Sequence, residues 1–360
     1  MGYPEVSIII LNWNRWKDTI ECLESLYQIT YLSYRVIVVD NGSKDGSIER
    51  IKEFAEGRIK VSSKYFEYDL NNKPIRVLEY GKKEAEAGGG REKDILKVPP
   101  NKSLILIRGD KNYGFAGGNN VAIRYALKAL NPDYILLLNN DTVVDKEFLE
   151  MLVKIAEEDE RIGIVGPKIY YYDHCGRSDV ISFTGETISS WKGVGKRYGC
   201  GEIDRAQWDK PMEVDKVEGS CMLIRREVFE RIGLFDEKFF LYWEETDFCV
   251  RAKRAGFKVV YCPQARVWHK VARSMGGGMS YTRVYFLTRN RSLFIAKSFP
   301  RNFWKLILYL TFYEIWRKIG EYLLYHRNAE ALTAYLKGVI DGYKTATKYR
   351  LYIKSRNHAS

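Results

Sequence analysis

The sequence predicts an α/β protein: a doubly wound sheet covered by helices on both faces, followed by a helical appendage. Three observations predict it. Short continuous apolar runs alternate with segments of helical spacing through the first half, as expected of strands buried on both faces of a parallel sheet. Asn and Asp collect where those runs end. The last part of the chain is instead basic, aromatic and helical in pattern.

Residues 6–11 form the first apolar run, and helical spacing follows at Ile20, Leu23 and Leu26-Tyr27. Residues 35–39 are the second strand, ending at Asp40-Asn41-Gly42-Ser43. Residues 104–107 are the third; a Gly- and Asn-rich turn then leads to a helix with Val121, Tyr125 and residues 127–130 on one side. Residues 134–138 are the fourth, with a helix near 146–156. The stretch at about 62–102 interrupts this alternation and is set apart as an insertion, within which residues 66–80 read as a hairpin around Asn71-Asn72. Residues 218–224 read as a further strand, and a short helix from Arg226 stops at Gly233. A helix opens at Trp243-Glu244-Glu245-Thr246-Asp247 and ends near Gly256; residues 258–261 are a strand stopped by Pro263.

Composition narrows the function. At 360 residues, with 46% hydrophobic and 29% charged residues, the chain is an ordinary globular protein able to bury a large core. Residues 283–360 carry fifteen Lys and Arg against four acids, a net of +11 out of +12 for the whole chain. The remainder is nearly neutral, which argues against a nucleic-acid-binding core and for one basic appendage. The six cysteines show no close pairing and several sit in apolar runs, so reduced, mostly buried thiols and a cytoplasmic protein are expected. The N-terminus enters a strand almost at once, without the pattern of a signal peptide.

In sheets of this class, ligands bind outside the carboxyl ends of the strands. Asn12 and Asn14, Asp40 and Asn41, Asn112, and Asn139-Asn140-Asp141 all stand at such ends. Any one of them reads equally well as a turn residue or cap. Together they favour a site. Residues 244–247 add three carboxylates in four positions, an arrangement that needs a cation, a helix N-terminus or a reaction that uses a base. His269 follows after the next helix and strand.

Together with Ser7-Ile8-Ile9-Ile10-Leu11-Asn12-Trp13-Asn14, Val38-Val39-Asp40-Asn41-Gly42-Ser43, Asn112-Tyr113-Gly114-Phe115-Ala116-Gly117-Gly118-Asn119-Asn120, Asn139-Asn140-Asp141 and residues 243–269, this order resembles family 2 glycosyltransferases of the GT-A fold, in particular their rhamnosyltransferase-like branch. The resemblance covers about residues 6–290 apart from the insertion. It implies a mixed sheet with a Rossmann-like N-terminal half, a catalytic domain over 1–282 (donor half about 1–145, acceptor half about 146–282) and a tail over 283–360. It implies sugar transfer with inversion from a UDP, dTDP or GDP donor to a hydroxyl of a growing or lipid-linked saccharide, assisted by Mg²⁺ or Mn²⁺.

The resemblance also implies roles for single residues. Asp141 matches the metal-binding acid, and Asn139 stands where the family often has another. His269 matches a histidine that completes metal or diphosphate binding; a buried structural histidine is the plainer reading. Asp40 matches the acid that reads the donor base or ribose, flanked by Leu11 and Asn12. Asn14, Asn41, Asn112, Gly117, Asn120 and Asn140 complete the nucleotide-sugar side, and Gly219, Ser220 and Trp243 the acceptor side. The general base falls on Glu245, where the family has Asp. Glu244 contacts the acceptor or orients the loop. Asp247 belongs to the same acidic cluster, but its place four residues before Arg251 favours a helical ion pair.

The tail has two readings. Trp304, Leu308, Phe312 and Ile315 can share a helix face, with Lys305, Arg317 and Lys318 available to phosphates, as in an interfacial anchor at the inner face of the cell membrane. Its uncharged run, 306–313, is far short of the roughly 20 residues a spanning helix needs. Equally, these helices can pack on the catalytic domain or on a second copy in a homodimer. Other enzyme classes fit less well. No strand is followed by G-x-G-x-x-G, and G-x-x-x-x-G-K-[ST] is absent. A sugar-nucleotide-forming nucleotidyltransferase calls for a glycine-rich basic loop after the first strand, and residues 12–16 contain no glycine. A non-catalytic membrane-associated scaffold that kept the fold is the remaining alternative.

Overall fold

The computed structural model describes residues 3–271 and 279–357. The first half comprises β1 (Val6–Asn12), α1 (Trp16–Leu26), β2 (Tyr34–Asp40), α2 (Ser47–Ala55), β3 (Arg76–Gly81), α3 (Lys82–Ala87), α4 (Lys93–Leu96), β4 (Ser103–Arg108), α5 (Gly114–Tyr125) and β5 (Tyr134–Asn139). There follow β6 (Thr142–Val144), α6 (Phe148–Glu157), β7 (Ile162–Tyr171), β8 (Ile181–Phe183), β9 (Met212–Glu213), β10 (Cys221–Arg225), α7 (Arg226–Ile232), α8 (Glu244–Arg254) and β11 (Lys258–His269). The tail is α9 (Tyr281–Ser298), α10 (Phe303–Tyr309), α11 (Ile315–Gly320) and α12 (Ala329–Asn357).

One mixed sheet runs in the order β3-β4-β2-β1-β5-β10-β7-β11-β6. β1, β2, β4 and β5 are parallel, with Asn12 opposite Asp40 and Leu11 opposite Asn139, so their carboxyl ends form one edge. β10 runs antiparallel to β5 and β7, which brings its start, just after Gly219-Ser220, to that same edge. Side chains alternate between two apolar layers. Ile8, Ile10, Val36 and Val38 pack with Leu23, Phe54 and Leu152 on one face; Ile9, Ile37 and Val39 pack with Ala122, Val228 and Phe248 on the other. Each such fully buried side chain contributes about 1.5–3 kcal/mol before conformational entropy is counted, which is why a one-residue register slip is strongly disfavoured.

Four local expectations change. Residues 66–80 are not a hairpin: β3 pairs in parallel with β4 as the sheet edge, and a 3-10 turn at Leu70–Asn72, capped by the Asp69 carboxylate, precedes it. The glycine-rich stretch from Gly114 is itself helix, because Gly118 lets α5 lie where a Cβ would come within 2.5 Å of Leu11. Pro263 does not end its strand; β11 continues to His269 through a register shift between Cys262 and Arg266. β7 carried no legible pattern, since Gly163, Gly166, Pro167 and Lys168 interrupt it. The two glycines admit Val228 and Val217, and the buried Lys168 ammonium pairs with Asp204 at 2.9 Å and with Asp209.

All six cysteines are free; Cys22, Cys221, Cys249 and Cys262 are buried, Cys175 and Cys200 exposed. In the tail, α9 packs along α12, and the boundary expected at 282/283 falls in the first turn of α9. Wide π turns at Leu310–Glu314 and Glu321–Tyr325 join α10, α11 and the loop before α12. Stepping four residues along an α-helix drifts about 40° around its axis, and the wider π turn winds that drift back. Trp304, Leu308, Phe312 and Trp316 are consequently all exposed, whereas Ile315 turns inward beside Val284 and Tyr322. Among the described residues no helix is long and apolar enough to cross a membrane.

Candidate active site

The site lies at the carboxyl edge of the parallel strands. Asp40, buried at the end of β2, accepts from Asn12 Nδ2 at 2.8 Å and from the Ser43 amide at 3.0 Å. Asn12 Oδ1 accepts in turn from Thr19 Oγ1 at 2.8 Å, and Thr19 accepts from Asn140 Nδ2 at 3.0 Å. Asn14, in the left-handed region at φ 53°, accepts from the Lys44 amide at 2.7 Å and closes this loop over Ser43. Beside it, Asn41 donates to Asn112 Oδ1 at 2.9 Å and accepts from the Tyr113 amide at 3.0 Å. These bonds fix the loops after β1, β2, β4 and β5 relative to one another. Gly117 leaves α5 close to Tyr113.

Asn120 stands apart from this group. Its amide donates to Phe235 O at 2.9 Å and Glu237 Oε1 at 3.0 Å, and accepts from the Phe235 amide at 3.1 Å. Its side chain is engaged with the loop after α7, away from the Asn41–Asn112 bonds.

Asp141 follows β5 in a tight turn, and β11 delivers His269 to it through pairing with β6. His269 Nε2 lies 3.1 Å from Asp141 Oδ1, and Nδ1 lies 3.4 Å from Glu218 Oε1 without hydrogen-bond geometry. Burial opposes a charge on His269, but the two carboxylates outweigh it and raise its pKa to about 10. Burial likewise opposes the Glu218 charge, yet His269 holds that carboxyl down at about 2; Asp141 is lowered in the same way. Among the described residues no group of three or more His, Cys, Asp and Glu is arranged to hold a metal. The pair still fits a divalent cation. Asp141 and His269, 3.1 Å apart and paired with each other, supply the oxygen and nitrogen donor types such a cation takes once the imidazole has lost its proton. Glu218, on the far ring nitrogen, stands where a metal-bound histidine ordinarily meets a carboxylate.

The acidic cluster divides. Asp247, buried, accepts from Arg251 Nε at 2.8 Å and lies 3.1 Å from Lys297 Nζ, so it ties α8 to α9. Trp243 turns its ring into α9, donating Nε1 to Leu287 O at 2.9 Å, and so is not an open acceptor-side surface. Glu244 is buried, with Oε2 unpartnered; desolvation first, then the Glu245 charge, pushes its pKa well above the carboxylate range. Glu245 is only partly buried, and Lys216 Nζ lies 3.3 Å from its Oε1. The segment before β10 joins both centres. Glu218 faces His269, and a Cβ on Gly219 would lie 3.5 Å from that of Glu245. Ser220 Oγ donates to Glu218 Oε1 at 3.3 Å.

A family model described as "Glycosyltransferase like family 2" matches residues 94–287, more than half of the chain, and one described as "Glycosyl transferase family 2" matches residues 7–75. The chain belongs to glycosyltransferase family 2. It is 31% identical over 195 residues to a low-salt glycan biosynthesis hexosyltransferase of Haloferax volcanii, covering 53% of this chain and 60% of that protein. It is 29% identical over 193 residues to an N-acetylglucosaminyl-diphospho-decaprenol L-rhamnosyltransferase of Mycobacterium tuberculosis (49% and 61%), and 28% identical over 166 residues to a rhamnosyltransferase of Escherichia coli K12 (44% and 61%). The matches thus span about 60% of these relatives' length. Among solved structures, the mannosyltransferase of Pyrobaculum calidifontis in complex with GDP-Man and Mn²⁺ superposes with a TM-score of 0.53 at 14% identity, over 100% of this chain and 82% of that one. S. aureus TarS 1–349 with UDP-GlcNAc gives 0.52 at 15% identity, over 94% and 80%. This likeness shows the fold, which is GT-A.

Sequence reasoning missed Thr19, Lys216, Glu218 and Asn290. Thr19 and Asn290 lie within helices; Lys216 and Glu218 precede an apolar strand as ordinary loop charges, and only the fold turns them toward the site.

Proposed function

We propose that this chain is an inverting glycosyltransferase, moving a sugar from a UDP, dTDP or GDP donor to a hydroxyl of a growing or lipid-linked saccharide. One observation carries the reading: residues 216–220 place a carboxylate–histidine pair and the partly exposed Glu245 side by side at the carboxyl edge of a GT-A sheet. The relatives named as hexosyl- and rhamnosyltransferases, and the neighbours solved with GDP-Man and Mn²⁺ or UDP-GlcNAc, support it. Asp40, Asn12 and Asn41 hold the loops that receive the nucleotide. Asp141 and His269 would hold Mg²⁺ or Mn²⁺, which when bound neutralises charge developing on the leaving diphosphate. Glu245 takes the proton of the attacking hydroxyl. Gly219 leaves room at that carboxylate for the acceptor. The test is incubation with UDP-, dTDP- and GDP-sugars and saccharide acceptors in Mn²⁺, following released nucleotide diphosphate. Release with a particular donor supports the reading, and silence with every donor together with no nucleotide binding contradicts it.

A second reading concerns location. Trp304, Leu308, Phe312 and Trp316 are 54%, 56%, 74% and 68% exposed, with Lys305 and Arg317 exposed beside them. We propose that this stripe rests on an anionic lipid surface, holding the enzyme at the inner face of the membrane beside a lipid-linked acceptor. Flotation of the full chain with anionic vesicles at low salt, lost in Phe312→Ser/Trp316→Ser, supports this. Failure to float, with a dimer in solution that the same changes dissociate, assigns the stripe to a second copy instead.

A further inference from the structure

Immediately before the acidic cluster the backbone is held in an unfavourable form. Phe240, Tyr242 and Trp243 have φ of 62°, 66° and 77°. Bulky side chains rarely enter this left-handed region, and such conformations persist only where the surroundings over-determine them. Leu241 lies between them, and in this irregular run the Leu241 amide bonds Phe239 O at 2.7 Å while the other carbonyls need partners from outside a ladder.

The partner is one side chain on α9. Asn290 is fully buried, and its Nδ2 donates to Phe239 O at 2.7 Å, Leu241 O at 2.8 Å and Tyr242 O at 3.0 Å. Its Oδ1 accepts from Arg289 Nη1 at 2.7 Å, and the other Arg289 contact, Nη1 to Lys238 O at 3.0 Å, reaches the same loop. The one intervening carbonyl, Phe240 O, is taken by the Phe115 amide at 2.7 Å, at the start of α5. The carbonyls from Phe239 to Tyr242 are therefore all partnered: the two N–H groups of Asn290 Nδ2 are shared among three of them, Phe239 O also accepts from the Leu241 amide at 2.7 Å, and Phe240 O is held by the helix that borders the nucleotide loops. The next residues are the N-cap Trp243 and then Glu244 and Glu245.

We infer that Asn290 is a positioning residue: it holds the loop 239–243, with its three left-handed residues, and thereby sets where α8 begins and where Glu245 stands. The inference rests on the transferase reading for its catalytic consequence, but not for the clamp itself. It ties α9, at Asn290, to the loop that precedes α8. Asn290 touches neither the Asp141–His269 pair nor the Asp40 loop, and the carbonyl bonded to α5, Phe240 O, is the one it does not hold, so nucleotide affinity is expected to stay unchanged.

The experiment compares Asn290→Ala with Val284→Ala, which loosens the same helix in a separate apolar cluster against Tyr322 and Tyr335. Hydrogen exchange of the amides at 240–245, nucleotide diphosphate affinity with Mn²⁺, kcat and the melting temperature are read for both. Asn290→Ala is expected to speed exchange at 240–245 and to lower kcat by about 100-fold, the scale of a displacement of about 1 Å at a reacting group, with nucleotide affinity unchanged. Val284→Ala is expected to keep kcat within about threefold at a similar loss of melting temperature. Unchanged exchange at 240–245, or an equal fall in kcat in both variants, overturns the inference. If the wild type turns over no donor, the transferase reading fails, and the clamp is then decided by exchange alone: faster exchange confined to 240–245 upholds it, unchanged exchange refutes it.

Discussion

Glu218 Oε1 lies 3.4 Å from His269 Nδ1, on the side of the imidazole away from Asp141. The carboxylate thereby adds to the negative charge that holds the imidazole between Glu218 and Asp141. Loss of such a partner typically weakens metal binding by about 10–100-fold. Glu218→Gln should weaken Mn²⁺-dependent nucleotide diphosphate binding by about that factor, measured by calorimetry, while metal-free nucleotide affinity stays the same.

Asn120 behaves differently from its neighbours in sequence. With its side chain bonded both ways to Phe235, Asn120→Ala should cost about 2 kcal/mol of stability in urea unfolding, from buried groups left unpaired. Nucleotide affinity should not change, whereas Asp40→Asn should lower it.

Glu244 predicts a pH dependence of stability. Its pKa is raised in the folded chain, so between the ordinary carboxyl range and that raised value the folded state keeps a proton that the unfolded state has released. Stability contributed here is complete below the unfolded pKa and falls as pH rises, by up to about 1.4 kcal/mol per pH unit. Glu244→Gln should remove that slope, so that its advantage over the wild type in melting temperature grows from pH 5 to pH 8. An identical pH profile would show that Glu244 is ionised in the fold.

Lys216 Nζ lies 3.3 Å from Glu245 and 3.5 Å from Glu186. Burial works against its charge, and Glu245, Glu186 and Glu218 outweigh it, keeping the ammonium above its ordinary range. Lys216→Met leaves these acids facing one another and should cost about 3 kcal/mol in equilibrium unfolding.

Much of this was legible in the sequence, for physical reasons that also mark where legibility stopped. Strands buried on both faces must be continuous apolar runs, so β1, β2, β4 and β5 announce themselves, and their ends locate Asn12, Asp40 and Asp141. The pairing of Asp247 with Arg251 follows from helical spacing alone. β7 hides because glycines and a paired lysine replace apolar residues where neighbours press close. Ile315 was placed on the wrong face because a π turn, invisible in composition, re-phases the helix. Asn120 and Asn112 look alike in sequence; only the fold shows that the first bonds Phe235 and the second Asn41.

The central claim is that Glu245, beside Gly219 and Lys216, is the base. The direct test is Glu245→Gln, which keeps shape and removes the ability to take a proton. Nucleotide diphosphate binding with Mn²⁺ should match the wild type, while transfer to the acceptor falls by about 10²–10⁴-fold. Transfer close to the wild-type rate would contradict the account and move the base to another group of the cluster.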